Sequence, residues 1–207
     1  MKKTLATLVL AGAICSSFSQ GTLTFNNSAL TLISTNATSG GPATGTASPS
    51  LGSWYYALFS ANTAVTTYAG NEDPAWTLRQ TATNTAAASG GRLSGGQQAT
   101  ALPGGSTVNT IVRGWSANLG TTWAAVLNSL NNPGSISGGS YYLGQSAIGL
   151  NAIFNDPSAA PVNGVFGTTG GALIPGFVLN LNVVPEPSSM ALAGLGAASL
   201  LLFRRRK

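Results

Sequence analysis

The residue types that most often carry enzymatic chemistry are nearly absent from this chain. Its 207 residues include no His, a single Cys (Cys15) and four acidic residues. Without His there is no Ser-His-Asp or Cys-His site, and a zinc site of the usual kind lacks its ligands. Residues 20–187 contain no Lys, which excludes a Lys nucleophile there. We therefore expect no catalytic residue, no metal site and no cofactor.

The acidic residues do not form a catalytic pair. Glu72 and Asp73 are neighbours before Pro74, and Asp156 is the next acid along the chain. Glycoside hydrolysis needs two carboxylates on opposite sides of the bond, which two adjacent residues of one turn do not provide. With Asn71 they offer oxygen ligands for calcium, but the segment matches no calcium-loop signature, and we interpret it as a solvated turn.

Aromatic side chains offer a different chemistry, which is stacking on sugar rings. Large aromatic residues dominate core burial, so we expect most of them to be buried. If Tyr55-Tyr56 and Tyr141-Tyr142 lie in strands, the two rings of each pair point to opposite faces, so one ring of each pair could reach solvent. The candidates for glycan stacking are Trp54, Tyr56, Trp76 and Tyr141.

The net charge of +5 belongs to the two ends of the chain. Between residues 20 and 187 there are three arginines and four acids, a net charge of −1. Three scattered arginines cannot build a basic patch, so we exclude nucleic-acid binding. The other six of the nine cations are Lys2, Lys3, Arg204, Arg205, Arg206 and Lys207.

The N-terminal residues have the pattern of an export signal. A short basic start is followed by an apolar run, Leu5 to Ile14. Ser17 and Ser19 supply the small residues at the −3 and −1 positions, which predicts cleavage by signal peptidase between Ser19 and Gln20. The sequence therefore predicts a signal peptide over 1–19 and a body without cysteine.

The C-terminal residues combine three features in a fixed order. The peptide Val184-Pro185-Glu186-Pro187-Ser188 comes first, and its prolines favour an extended segment that a protease can bind. The apolar stretch Met190 to Phe203 follows, with a length of about 21 Å as a helix. With flanking serines and snorkelling arginines it comes near to the length of a membrane span. The basic cluster Arg204, Arg205, Arg206 and Lys207 is then expected on the cytoplasmic side.

This order resembles the PEP-CTERM protein-sorting domain of Gram-negative bacteria that make exopolysaccharide. The same segment also occurs as the C-terminal domain of proteins named as ice-binding. The resemblance implies recognition of Pro185, Glu186 and Pro187 by an exosortase, a membrane transpeptidase-like protease, with Arg204 to Arg206 as the basic end. A plain, permanent membrane anchor is the alternative.

The body has the pattern of short strands. Alternating or strongly apolar runs predict seven strands, which are Thr22–Phe25, Ala29–Ile33, Trp54–Phe59, Val65–Tyr68, Trp76–Gln80, Thr107–Trp115 and Phe177–Val183. Low-complexity residues predict long loops over Thr35–Ser50 and Thr83–Ser106, and Asn163-Gly164 predicts a hairpin. One helix is predicted to begin after Thr121 or Thr122 and to end at Asn131-Asn132-Pro133-Gly134.

We therefore predict a mainly β protein with three parts. An antiparallel β-sandwich with one short helix occupies 20–183, between an N-terminal signal helix (1–19) and a sorting segment with a transmembrane helix (184–207). Three segments of the body resemble a group of uncharacterised exported PEP-CTERM proteins, namely Gln20–Asn27, Trp54–Phe59 and Val112–Trp115. This resemblance implies an architecture but no activity.

The expected function is that of a non-enzymatic surface or extracellular-matrix protein. The expected partners are signal peptidase, exosortase, the inner membrane as a transient anchor, and exopolysaccharide. An extracellular carbohydrate-binding module is the first alternative. An ice-binding surface is a weaker one, because the alternating threonines, such as Thr22 with Thr24 and Thr81 with Thr83, do not recur at a fixed period.

Overall fold

The computed structural model describes residues 20–38, 40–85, 90–155 and 163–184. The predicted signal peptide and its Ser17 and Ser19 lie outside these ranges, as do the predicted transmembrane helix and all residues from Pro185 onward. Within the described ranges no helix is long and apolar enough to cross a membrane.

The described part of the chain is mainly β-structure with one α-helix. The helix, α1, spans Trp123–Asn131, and short 3-10 turns lie at Pro49–Leu51, Ala117–Leu119 and Pro133–Ser135. The strands are β1 (Gln20–Asn26), β2 (Ser34–Asn36), β3 (Ala43–Thr46), β4 (Trp54–Ala61), β5 (Thr77–Asn84), β6 (Leu93–Pro103), β7 (Thr107–Ser116), β8 (Ser140–Gln145), β9 (Gly149–Ile153) and β10 (Val178–Val183).

These strands form one continuous sheet, so the predicted β-sandwich is wrong. The order is β1-β6-β5-β4-β7-β8-β10-β2-β3, and β9 pairs with β7 beside β8. All the pairings between these strands are antiparallel except that of β10 with β2. The mainly β composition was predicted correctly, but one curled sheet takes the place of the two separate sheets of a sandwich.

The sheet curls around one of its own faces. Leu23 of β1 and Leu179 of β10 lie far apart along the sheet, yet they belong to one buried cluster. We call this cluster the inner core. Its buried members are Leu23, Phe25, Ile33, Ala47, Trp54, Tyr56, Leu58, Ala82, Leu93, Val108, Val112, Phe154, Val165, Ile174, Phe177 and Leu179.

Irregular chain covers the outer edge of β1. Thr22 exchanges two backbone hydrogen bonds with Asn155, at 2.7 and 3.0 Å, and Thr24 bridges to Gly164. Asn163-Gly164 therefore lies in a bridge to β1, where the sequence predicted a hairpin turn. These bridges satisfy backbone groups that would otherwise form an unpaired strand edge.

A second core, the outer core, covers the opposite face of β4 and β7. Trp54, Tyr56 and Leu58 of β4 enter the inner core, whereas the odd-numbered side chains of β4 pack in the outer core, as the alternation of a strand requires. This explains why β4 and β7 are buried on both faces. The buried members of the outer core are Ala57, Phe59, Ala61, Trp76, Ile111, Trp115, Leu119, Trp123, Val126 and Ile136.

Helix α1 and the loop 62–76 cover the outer core. The predicted helix is confirmed: the Thr122 hydroxyl accepts a hydrogen bond from the Ala125 amide at 3.2 Å and caps the first turn. Trp123 and Val126 are its buried residues. The predicted strand Val65–Tyr68 is wrong, because these residues belong to the loop and pack on the outer core.

Several predicted boundaries were also wrong. Ala29–Ile33 is not a strand, whereas the predicted loops Thr35–Ser50 and Thr83–Ser106 contain parts of β2, β3, β5 and β6. These strands are rich in Gly, Thr, Ala and Gln, whose own strand preference is weak or moderate. Pairing with neighbouring strands, such as β6 with β1 and β5, determines their structure.

Three buried asparagines hold irregular segments to the sheet. Asn27, Asn36 and Asn109 are 5%, 1% and 1% exposed. Each side chain donates two hydrogen bonds and accepts one from a backbone amide. We call these residues the asparagine latches.

Candidate functional site at the C-terminal strand

The last strand lies inside the sheet and not at its edge. β10 pairs with β8 on one side, from Asn180 with Leu143 to Val183 with Ser140. On the other side it runs parallel to β2 at Val178 and Leu179. A Cβ at residue 144 would collide with the backbone carbonyl of Val178, so a glycine there permits the close approach of β8.

The latch at Asn36 extends the pairing of β10 beyond β2. Its side-chain oxygen accepts a hydrogen bond from the Leu181 amide at 2.7 Å, and its Nδ2 donates to Asn180 Oδ1 at 2.8 Å. The same Nδ2 also donates to the Gly41 carbonyl at 3.2 Å. One buried side chain thus fixes β10 and the β2–β3 turn together.

The ladder continues to the residue before the first proline. The Val184 amide donates to the Gly139 carbonyl at 2.9 Å, and the Val184 side chain packs against the outer core. Gly138 and Gly139 have φ values of 87° and 65°, which other L-residues rarely adopt, so this turn requires glycine. The next residue, Pro185, has no amide hydrogen and cannot donate to the ladder.

Both predicted processing points therefore adjoin strands. Gln20, expected to become the first residue after signal cleavage, begins β1 and pairs with Pro103. Val184, the first residue of the predicted sorting motif, follows β10 directly. Pro185, Glu186, Pro187, Ser188 and the basic cluster Arg204 to Lys207 lie outside the described residues.

Three of the four glycan-stacking candidates are buried. Trp54, Tyr56 and Trp76 are 1%, 0% and 6% exposed, so none presents an open ring face to a sugar. Trp54 Nε1 donates to the Ser48 carbonyl and Trp76 Nε1 to the Thr67 carbonyl. Tyr141 is half-buried against the outer core. The expectation that most aromatics are core residues holds for these three.

A buried arginine, Arg113, was not anticipated from the sequence. It is 4% exposed on β7, and its guanidinium donates to Asn71 Oδ1 at 2.7 Å and to Gln145 Oε1 at 2.9 Å. The guanidinium carbon lies 4.1 Å from the ring centre of Tyr68 and 4.8 Å from that of Trp123. Burial lowers the pKa of Arg113, and the Coulombic interaction with Tyr68 partly raises it.

The partners of this guanidinium are amide oxygens and aromatic faces. Its Nε has no hydrogen-bond partner among the described residues. One signal in the sequence could have indicated this role. Arg113 lies within the apolar pattern of β7, where a charged side chain needs polar or aromatic partners. The arrangement fastens the loop 62–76 to the sheet through Tyr68 and Asn71.

The acidic turn is a structural turn with a groove beside it. Asp73 accepts hydrogen bonds from the Ala69 and Ala75 amides at 2.9 and 3.0 Å, and Glu72 accepts one from Asn131 at 3.4 Å. A groove of about 430 Å³ separates residues 69–74 from α1. In the described ranges no group of three or more Asp, Glu, His or Cys residues is placed to hold a metal ion.

Comparison with known proteins finds a family match at the C-terminal segment. No curated protein and no solved structure matches this chain. Residues 183–207 match the family model of the PEP-CTERM protein-sorting motif, which begins at the last residue of β10. The resemblance seen in Val184 to Ser188 and in the basic end is thereby confirmed for this C-terminal segment, which carries the PEP-CTERM protein-sorting motif.

Proposed function

We propose that this chain is an exported, non-enzymatic surface or extracellular-matrix protein that an exosortase processes at its C-terminal segment. The match to the PEP-CTERM motif over residues 183–207 carries the proposal. The motif implies an exosortase as processing partner, together with export and sorting to the cell surface. The match begins at Val183, the last residue of β10, so the Pro-Glu-Pro segment follows the sheet directly in the sequence.

The proposed route uses both ends of the chain. Signal peptidase cleaves between Ser19 and Gln20, and the apolar stretch Met190 to Phe203 then holds the chain in the inner membrane with the basic cluster inside. The exosortase acts at the Pro-Glu-Pro segment and releases or transfers the body. The body reaches the surface or an exopolysaccharide matrix.

The composition of the body supports a structural role in such a matrix. Ser, Thr, Asn and Gly make up 89 of the 207 residues, and charged residues make up 6%. Such a surface offers many neutral hydrogen-bonding groups to a hydrated polysaccharide. The missing His and the absence of Lys between residues 20 and 187 support a body without enzymatic activity.

The carbohydrate-binding alternative has less support. It needs aromatic rings with open faces, and Trp54, Tyr56 and Trp76 are buried. Of the four candidates only Tyr141 is half-buried, and it packs against the outer core. The proposed location in the matrix therefore rests on the sorting motif and not on a defined sugar-binding site.

A Glu186→Ala variant tests the proposal, with Glu72→Ala as its matched control. Both changes remove one carboxylate, but only the first lies in the motif. In the native cells the first variant should accumulate as the membrane-bound, full-length form, whereas the control should be processed like the wild-type protein. Intact mass and cell fractionation distinguish the two forms.

Two results would contradict the proposal. Normal processing of the Glu186→Ala variant would show that the exosortase does not need Glu186 for recognition. A wild-type protein that stays in the membrane and retains Arg204 to Lys207 would be a permanently anchored protein.

A further inference from the structure

We propose that one edge of β5 is a pairing surface for the same edge of a second copy of this chain, and that Arg79 prevents this pairing. β5 lies between β6 and β4 in the sheet order, but its pairing with β6 covers only Thr83 and Asn84. Residues 77–82 adjoin β4 on one side, and no described strand pairs with them on the other. We call residues 77–82 the β5 edge.

The β5 edge is accessible to another strand. Thr77 and Thr81 are exposed, and the apolar Leu78 is 42% exposed. Two other edges of the sheet are protected, because irregular chain bridges to β1 and because β3 has only four residues. An edge of six residues whose backbone groups have no strand partner in the described chain is a template for an added strand.

The same edge of a second copy is a partner that fits. Two identical edges pair antiparallel about a two-fold axis, so that each supplies the backbone groups that the other lacks. With the axis between Arg79 and Gln80, residues 77–82 of one copy lie opposite residues 82–77 of the other. Leu78 and Thr81 adjoin outer-core residues of β4, so this register brings them together on the outer face.

A β-bulge turns Arg79 toward the inner face. The register of β4 with β5 shifts between Leu58 and Phe59, which leaves Arg79 as an extra residue of β5. Its Nε donates to the Ser60 hydroxyl at 2.7 Å, and Ser60 is 1% exposed on the same face of β4 as Leu58. An inward-pointing charge on an edge strand opposes the addition of another strand, because the added strand would bury that charge.

The symmetric pairing would also bring two arginines together. Arg79 of each copy would lie opposite Gln80 of the other, so the two guanidinium groups would occupy neighbouring positions on one face. Like charges at such cross-strand positions destabilise a pair of strands. β5 contains no Asp or Glu that could compensate for them. Burial already lowers the pKa of Arg79, and an added strand would remove more water from its guanidinium.

Few other charges keep copies of the body apart. Charged residues make up 6% of the chain, and residues 20–187 have a net charge of −1. General electrostatic repulsion between two such bodies is therefore weak. Arg79 thus keeps the copies separate at concentrations where an uncharged β5 edge would pair.

The first test compares Arg79→Gln with Arg92→Gln in the full-length chain, purified in detergent. Both changes remove one positive charge, but Arg92 lies before β6 and outside the β5 edge. A Gln amide at position 79 can still donate to Ser60. By analytical ultracentrifugation the dimer of Arg79→Gln should have a dissociation constant about tenfold lower than that of the wild-type chain. Arg92→Gln should match the wild type, and equal association of the two variants would overturn the inference.

The second test reverses the charge. Arg79→Glu alone should stay as separate as the wild type, because two carboxylates then replace the two guanidinium groups. A mixture of Arg79→Glu with the wild-type chain places opposite charges at the neighbouring positions and should associate about tenfold more tightly than either chain alone. Energy transfer between differently labelled copies measures this. No gain in the mixture would show that charge at this position does not control pairing.

The third test needs no variant, so it holds even if a substitution at Arg79 prevents folding. Raising the NaCl concentration from about 0.1 to about 1 M shortens the Debye length from about 10 to about 3 Å. The wild-type chain should then associate more tightly, and amide hydrogen exchange in residues 77–82 should slow down as pairing covers the edge. Association that salt does not change, or that leaves exchange in the β5 edge unchanged, would overturn the inference.

Discussion

The two cores on the faces of β4 and β7 are built from different parts of the chain. The inner core joins residues as distant as Leu23 and Leu179, and it contains mostly aliphatic and phenylalanine side chains. The buried residues of the outer core fall between Ala57 and Ile136, and aromatic side chains surround one arginine there. The same two strands thus support one core of long-range contacts and one of more local contacts.

The two cores therefore need different parts of the chain. The buried residues of the outer core are closer in sequence than those of the inner core, although Val184 also packs against it. The inner core is incomplete without β10, which lies directly before the sorting motif. The last strand of the inner core and the sorting motif are therefore neighbours in the sequence.

The largest expected effects come from a matched pair of tryptophans, one in each core. Trp54 lies in the inner core and Trp115 in the outer core, and they are 1% and 0% exposed. We expect each change to Ala to lower the free energy of unfolding by about 3–5 kcal/mol. Chemical denaturation of the isolated body checks these values.

Hydrogen exchange should distinguish the two variants. Trp115 contacts Trp123 at the start of α1, with ring centres 5.5 Å apart, so Trp115→Ala should increase exchange in α1. Trp54→Ala should leave α1 protected. Equal loss of protection in both variants would show that the two cores unfold as one unit.

Arg113 tests whether charge or packing holds the outer core. Arg113→Ala leaves a space between Tyr68 and Trp123 and should lower the free energy of unfolding by about 2–3 kcal/mol. Arg113→Met fills most of that space without a buried charge, and it should change stability by less than about 1 kcal/mol. Asn71 and Gln145 are exposed, so water can replace their lost hydrogen bonds.

Thermal or chemical unfolding of both Arg113 variants gives the comparison. If Met destabilises as much as Ala, the cation itself holds the loop 62–76, and the cation–π contacts are the main contribution. The inner core, which contains no charged side chain among its described members, provides the reference.

The smallest change at neutral pH is expected for Tyr56→Phe in the inner core. The Tyr56 hydroxyl is buried and has no hydrogen-bond partner among the described residues. Its removal should therefore alter stability by less than about 1 kcal/mol. Denaturation at pH 7 and at alkaline pH checks this value and the pH dependence that follows.

The pH dependence has a definite sign. Burial raises the pKa of Tyr56 far above its ordinary value near 10. The folded protein therefore keeps this proton when the unfolded chain has lost it, so stability falls as pH rises above about 10, by up to about 1.4 kcal/mol per pH unit. Tyr56→Phe should remove this part of the alkaline loss. An unchanged alkaline slope would mean that Tyr56 ionises normally in the folded protein.

The sequence predicted the strands that carry strong apolar patterns and missed those that do not. β4, β7, β10 and the capped helix were predicted because aromatic or β-branched residues, and the Thr122 cap, define them locally. β3 and β6 were interpreted as loops, because Gly, Ala and Gln form strands there only through pairing with distant residues. The single curled sheet was missed for the same reason, since long-range pairing determines how a sheet closes on itself.

The candidate site also has a part that the sequence predicted and a part that it did not. The sorting motif was recognised because its residues are contiguous, and the family model confirms it. The Asn36 latch and the Arg113 arrangement join residues that are distant in sequence, and neither could be predicted from spacing. The exposure of aromatic rings likewise depends on which segments cover each face.

The asparagine latches have a consequence for the environment in which the body is stable. Each latch uses neutral amide groups and no ion pair, and the three together join the residue after β1, and strands β2 and β7, to distant segments. Dissolved ions screen interactions between charges but have little effect on buried hydrogen bonds between neutral groups. We therefore expect the stability of these three contacts to depend little on ionic strength.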